Sequence, residues 1–163
     1  MYDRVGMKMT GAGERRRRVA RALRYVWAFP NTLVGLSFLP LVLFTGGRVQ
    51  LIDGVLELHG RLVSTVLRHC VPLRGGASAI TFGHVVLGCD ARTLAATRDH
   101  ERVHVRQCEV WGPAFIPAYL LAGVGSLLAG SGAYDGNYFE RQACCEAEIA
   151  SRNASSRSVI PNP

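Results

Sequence analysis

The sequence predicts an α+β domain preceded by a membrane-spanning helix. Three features carry that expectation. Residues 25–44, "YVWAFPNTLVGLSFLPLVLF", form a twenty-residue run without a charge. An Asp53-Gly54 pair sits between two short apolar runs. A long capped helix carries His100-Glu101-Arg102-Val103-His104. At 163 residues the chain has room for one domain with a real core. Its hydrophobic content of 48% is high for a water-soluble domain and points to contact with a membrane.

The net charge of +7 is concentrated at one end. Residues 1–24 hold eight Lys/Arg against two Asp/Glu, and the remainder holds eleven against ten. These first residues are therefore expected to form a basic, largely disordered arm. Nucleic acid is not an expected partner, because the Arg15–Arg18 run lacks interleaved aromatics and leads into an apolar stretch. The five cysteines are odd in number and form no C-x-x-C, which argues against a zinc ribbon or a disulfide framework.

The run 25–44 is long enough to span a hydrocarbon core, with Tyr25 and Trp27 at its basic end. No A-x-A cleavage site follows, so it reads as an uncleaved signal anchor. The positive-inside rule then sets residues 1–24 in the cytoplasm. The competing reading is a buried core helix, which Pro30, Pro40 and Asn31 favour. Asp53-Gly54 predicts a hairpin. "RLVSTVLRHCVPL" is helical in period and ends near Pro72. "SAITFGHVVLG" reads as one strand bounded by Gly88. Asp90 is an N-cap for a helix over 91–111, ended by Gly112-Pro113. An apolar segment at 114–130 follows, then a loop "SGAYDG". A last helix begins in "NYFERQACCEAEIASR", and a polar, frayed tail runs over 153–163.

One helical turn separates His100 from His104, so both imidazoles leave the same face about 6 Å apart along the axis. Two adjacent corners of a tetrahedral zinc site require that arrangement. Glu101, beside the first histidine, can reach a zinc-activated water and take its proton. The third ligand has to come from elsewhere, and Glu140 in "NYFERQA" is a candidate. Cys144, Asp99 and Cys108 remain as alternatives, although donors at i, i+4 and i+8 on one straight helix diverge along the axis. His59 and His69 carry no assigned role. Alternatively, the five-residue pattern is an ordinary helix surface, with Glu101 paired to an arginine such as Arg98.

"DHERVHVRQ" followed by "YDGNYFERQA" resembles the HExxH…E zinc metallopeptidases, the gluzincins, and within them small membrane-associated bacterial proteins. The likeness covers roughly residues 78–148 and is specific at His100, Glu101, His104, Gln107 and Glu140. It implies a minimal zincin-like core over 45–152: a short sheet, the HExxH helix and a following helix bearing Glu140. It further implies Zn2+ held by His100, His104 and Glu140, Glu101 as general base, and a peptide or protein substrate. By the same likeness the protein resides in a bacterial inner membrane, held by residues 25–44. Tyr134 or His84 is a candidate oxyanion partner, an assignment the motif itself does not carry. His84, with apolar neighbours in its strand, reads more readily as a core residue than as a catalytic one. Two rivals stand beside this expectation: a non-catalytic zinc-binding membrane protein, and a basic-arm interaction protein in which HExxH is accidental.

The gluzincin expectation also constrains topology. If 114–130 crossed a bilayer once, Glu140 would lie on the opposite side from the two histidines. That segment must therefore be re-entrant, interfacial or core.

Overall fold

The computed structural model describes residues 11–71 and 75–158. Its elements are α1 (Gly11–Leu36), α2 (Leu39–Phe44), β1 (Arg48–Ile52), β2 (Val55–His59) and α3 (Arg61–His69). Then come β3 (Ala79–Phe82), β4 (Val85–Gly88), α4 (Ala91–Trp111), α5 (Phe115–Leu128) and α6 (Tyr138–Ser158). The fold is α+β, built on a four-stranded mixed sheet in the order β1-β2-β4-β3.

Two tight turns set the sheet's register. Asp53 and Gly54 both take positive φ, 50° and 81°, the type I′ geometry that matches the twist of paired strands. Ile52 consequently faces Val55, and Arg48 faces His59. The second turn corrects the expectation of one strand over 78–88. Gly83 adopts φ 61° and reverses the chain, so β3 and β4 pair antiparallel, with Phe82 opposite Val85. Glycine at the first central position is the type II′ requirement. Strand β4 then runs parallel to β2, and β3 is left at the sheet's edge.

Alternation along the strands divides the interior into two layers. Leu58, Val85 and Leu87 face Val42 of α2 and Val63 and Leu67 of α3. Val55 and Val86 face Leu94 and Val105 of α4. A third cluster (Ala28, Cys108, Phe115 and Phe139) joins α1, α4, α5 and α6 beside the sheet. Helix α3 ends at His69 with Cys70 as its C-cap, and Pro72, the expected stop, lies outside the described residues.

The basic arm expected over 1–24 is helical from Gly11 onward, and residues 1–10 lie outside the described residues. Residues 25–44 do not form one helix: α1 ends at Leu36 and α2 begins at Leu39. Neither segment stands apart from the domain. Trp27 donates to the Val110 carbonyl at 3.2 Å, and Asn31 donates to the Gly112 carbonyl at 2.7 Å. Both bonds satisfy carbonyls at the C-terminal end of α4, where no helical donor follows. Thr32 accepts from the His84 N–H at 3.1 Å. At Gly35 a Cβ would fall 2.5 Å from Val85 Cβ, so the helix and the sheet touch backbone to side chain.

Two helical stretches, Gly13–Phe44 and Ala91–Leu128, are long and apolar enough to cross a membrane. Their most apolar windows are 22% and 11% buried, which distinguishes them from core helices. In α5, only Phe115 and Gly123 are buried, while Leu120, Leu121, Val124, Leu127 and Leu128 are exposed. The segment 114–130 is therefore mostly exposed, and the chain after it turns back along α5, because Asn137 donates to the Tyr119 carbonyl at 3.1 Å. Helix α6 continues to Ser158, past the tail expected from Asn153, and residues 159–163 lie outside the described residues.

The docking of α1 has a direct test. A glycine-to-alanine change inside a helix ordinarily stabilises it by about 1 kcal/mol. Gly35→Ala is expected to do the opposite and lower stability by roughly 1–3 kcal/mol, through collision with Val85. Denaturant unfolding in mild detergent measures it, and a stabilised variant would mean that α1 is detached from the sheet.

Candidate metal centre

Helix α4 starts on Asp90, whose side chain accepts the Thr93 N–H at 2.8 Å. One face of it meets the sheet and another meets α6. Along that second face Glu101, His104 and Gln107 are buried, an unusual load of polar groups for a helix interior. Each has a partner. Thr81 on β3 donates to Glu101 Oε2 at 2.7 Å. Arg98 is not the partner of Glu101; it forks onto the buried Glu57 of β2 at 2.9 and 3.1 Å. Arg102 joins the same carboxylate at 3.5 Å. These two arginines press α4 against the sheet and fix its rotation.

Glu140 is brought to the histidines by the start of α6. Asn137, fully buried, accepts the Phe139 N–H at 3.0 Å and so caps the helix. Asn137 and Glu140 have capping-box spacing. Here, however, the carboxylate turns toward α4. One oxygen lies 3.2 Å from His100 Nε2 and the other 3.4 Å from His104 Nε2. The two Nε2 atoms are 3.1 Å apart. A tetrahedral ion with bonds of about 2.0–2.1 Å holds its donors about 3.3–3.4 Å apart, and these separations fall close to that.

The protons on the imidazoles can be assigned from the surroundings. Gln107 donates through Nε2 to the Phe139 carbonyl and to Gln142 Oε1, both at 3.1 Å. Its amide oxygen is thereby turned toward His104 Nδ1, 2.8 Å away. That nitrogen must carry the hydrogen, which leaves a lone pair on His104 Nε2. Glu140 Oε2 is buried and makes no well-directed hydrogen bond, although His100 Nε2 lies 3.2 Å away. Tyr119 of α5 donates to Oε1 at 2.5 Å and orients the carboxylate. Lone pairs from α4 and α6 thus converge on one point, and a single proton there could join at most two of the three groups. The donor set of two imidazoles and a carboxylate fits Zn2+, with a coordination position left over.

Electrostatics agree with a site built for positive charge. Burial works against ionisation of Glu140, yet the His100 and His104 imidazoles hold its carboxyl well below the usual range. Burial likewise opposes charge on His104, but Glu140 outweighs it and raises that imidazole. Burial pushes the Glu101 carboxyl up, against the Thr81 hydroxyl and the nearby histidines, which lower it. Burial pushes the Tyr134 phenol up, and the Glu140 carboxylate adds to that.

His100, His104 and Glu140 therefore come together, with Glu101 and Tyr134 next to them. His84 does not join them. It occupies the β3–β4 turn, stacked on Tyr25 with ring centroids 3.7 Å apart, and meets Glu109 at 3.2 Å. Cys144 approaches only His100 Nδ1, at 3.9 Å, on the side away from Glu140's partner Nε2. Cys108 is buried in the helical core among Ala28, Phe115 and Phe139. Thr81 and Tyr119 were not among the sequence candidates, since nothing in their local pattern distinguishes them from strand and apolar-helix residues. No protein-family model, curated protein or solved structure matches the chain.

Removal of an outer hydrogen-bond partner of a metal-ligating histidine typically costs 10–100-fold in metal affinity. Gln107→Leu keeps the volume and loses the acceptor, so if the centre binds zinc its affinity should fall by about that range, and stability in chelator should fall by about 1–3 kcal/mol because the Phe139 carbonyl loses its donor. Competition with a chromophoric chelator reads the affinity. Unchanged affinity would dissociate Gln107 from the site.

Proposed function

We propose that the protein is a membrane-associated zinc metallopeptidase that hydrolyses peptide bonds, with His100, His104 and Glu140 as zinc ligands and Glu101 as general base. The observation that carries this reading is the convergence of three donor groups, His104 and Glu140 buried and His100 half-buried, with a fourth, proton-accepting carboxylate beside them. Zinc bound there would supply Lewis acidity, polarising a carbonyl and making water acidic.

The chain's own residues account for the remaining work. Glu101, anchored by Thr81, keeps a fixed orientation and a proton affinity raised by burial, which suits a base that accepts a proton from water and passes it to a leaving amine. Tyr119 and Gln107 hold the ligands in place. Tyr134, partly exposed beside Glu140, has a phenol available to stabilise charge developing on a carbonyl oxygen. Strand β3 ends the sheet immediately beside α4, and its Thr81 contacts Glu101. An extended peptide can pair with such an edge through main-chain hydrogen bonds, and this supports a peptide substrate.

One observation favours a second reading, in which the metal only fastens α4 to α6. Glu101 is itself buried and bonded to Thr81, and a recess of about 610 Å³ among the described residues is lined by Arg17, Arg21, Arg24, Tyr25 and Asp53 and not by the donor residues. In that reading Glu101 is a buried structural carboxylate.

Bound zinc per chain, measured by elemental analysis of detergent-purified protein, tests the common part of both readings. About one zinc is expected in the wild type, and His104→Ala and Glu140→Ala should each abolish it. Glu101→Gln separates the two: zinc is retained, and hydrolysis of a peptide library falls by at least about 10²-fold if Glu101 is the base. Zinc-replete wild-type protein with no detectable cleavage would support the fastening role instead.

A further inference from the structure

Helix α1 has two faces of opposite character. At 3.6 residues per turn, Arg17, Arg21, Arg24, Ala28, Asn31 and Gly35 fall on one side. From residue 24 onward that side is committed to the domain. Arg24 meets Glu109 at 3.6 Å, Ala28 and Asn31 are buried, and Gly35 abuts Val85. The opposite side carries Val19, Leu23, Val26 and Leu33, which are 51, 63, 72 and 50% exposed. This apolar stripe runs about 21 Å along the axis.

A helix crossing the bilayer along residues 25–44 would carry its neighbours into the hydrocarbon. Beside Tyr25 lies the Asp53-Gly54 turn, since the phenol donates to the Gly54 carbonyl at 2.9 Å. The Arg24–Glu109 pair lies on the same level of α1. At the other end the helix rests on the β3–β4 hairpin. The folded domain therefore flanks α1 over the length that would have to be in lipid. Arg15 and Arg16, both exposed, project at the two margins of the apolar stripe, just before it begins.

We propose that α1 lies in the plane of an anionic bilayer surface, with its Val19–Leu33 stripe in the acyl boundary and Arg15 and Arg16 on lipid phosphates. The surface is monotopic: it rests on the membrane and does not span it. An apolar stripe with basic margins is the arrangement by which a helix binds such an interface. The whole of the domain, including α4 and α6, then stays on one side.

The test uses a full-length chain whose exposed cysteines (Cys70, Cys144 and Cys145) are changed to serine. One thiol-attached fluorophore is placed by Val19→Cys, Val26→Cys or Leu33→Cys. Each protein is bound to phosphatidylglycerol-containing vesicles whose acyl chains carry bromine at defined depths. Similar shallow depths at all three positions are the expected result. Depths graded over about 21 Å would overturn the proposal in favour of a crossing helix. Absence of quenching at every position would overturn it too, because protein, such as a second copy of the chain, would then cover the stripe. Arg15→Glu with Arg16→Glu should weaken vesicle binding by at least about tenfold, and unchanged binding would overturn the anionic surface as partner. None of these readouts involves zinc, so they stand or fall apart from the peptidase reading.

Discussion

A single helix carries the structure's most expensive burials, and the rest of the molecule is arranged to compensate them. Glu101, His104 and Gln107 on α4 are out of solvent, and so are Glu140 and Glu57, which meet α4 from α6 and from the sheet. Isolated, each ionised group would be strongly disfavoured in such surroundings. Every side of α4 therefore supplies a counter-group. The sheet gives Thr81 and Glu57, α6 gives the Phe139 carbonyl and Gln142, and α1 gives Trp27 and Asn31 at the helix's end. Among the described residues protein atoms leave four buried side-chain atoms without a hydrogen bond (His59 Nε2, His84 Nδ1, Arg102 Nη1 and Glu140 Oε2), and the last of these lies at the point shared by His100, His104 and Glu140.

That constraint explains why so small a sheet suffices. It has only four strands, but it holds α4 by a forked Arg98–Glu57 contact and by the packing of Leu94 and Val105 on Val55 and Val86. Precision at the donor cluster then depends on rotation of α4 about its axis and on the depth of α6. Gln107 couples the two, since one amide reads the His104 ring and the start of α6 together. Asn137 adds a third connection by capping α6 and bonding the α5 carbonyl of Tyr119.

Legibility in the sequence followed the range of the interaction concerned. The Asp53-Gly54 hairpin, the Asp90 cap and the Gly112-Pro113 break were all readable, because each depends on a few adjacent residues and their backbone preferences. The second hairpin was not. Ile80, Thr81, Phe82, Val85, Val86 and Leu87 are all strand formers, and Gly83 within them is as compatible with a bulge as with a turn. Residues 25–44 were legible only in part: they belong to a stretch long and apolar enough to cross a membrane, as expected, but not to one unbroken helix. Their composition meets the requirement for a membrane span, but composition carries no information about a face docked on Gly112, His84 and Val85. The arginine pairing that the ordinary-surface reading required is absent as well: Arg98 has Glu57, 41 residues earlier in the chain, as its partner.

The sequence by itself determined that two imidazoles leave one face of a capped helix with a carboxylate beside them, because helix geometry converts i, i+4 spacing directly into spatial neighbours. It also determined that a second carboxylate, Glu140 in "NYFERQA", sits early in a later helix. Tertiary structure alone decided that this carboxylate meets the two imidazoles, which nitrogen of His104 is free, and which flank of α1 remains apolar and uncovered. Those outcomes depend on contacts between residues 20 to more than 80 positions apart. Nothing in local backbone preference encodes such contacts. They appear only when packing sets the rotation and depth of each helix against its neighbours.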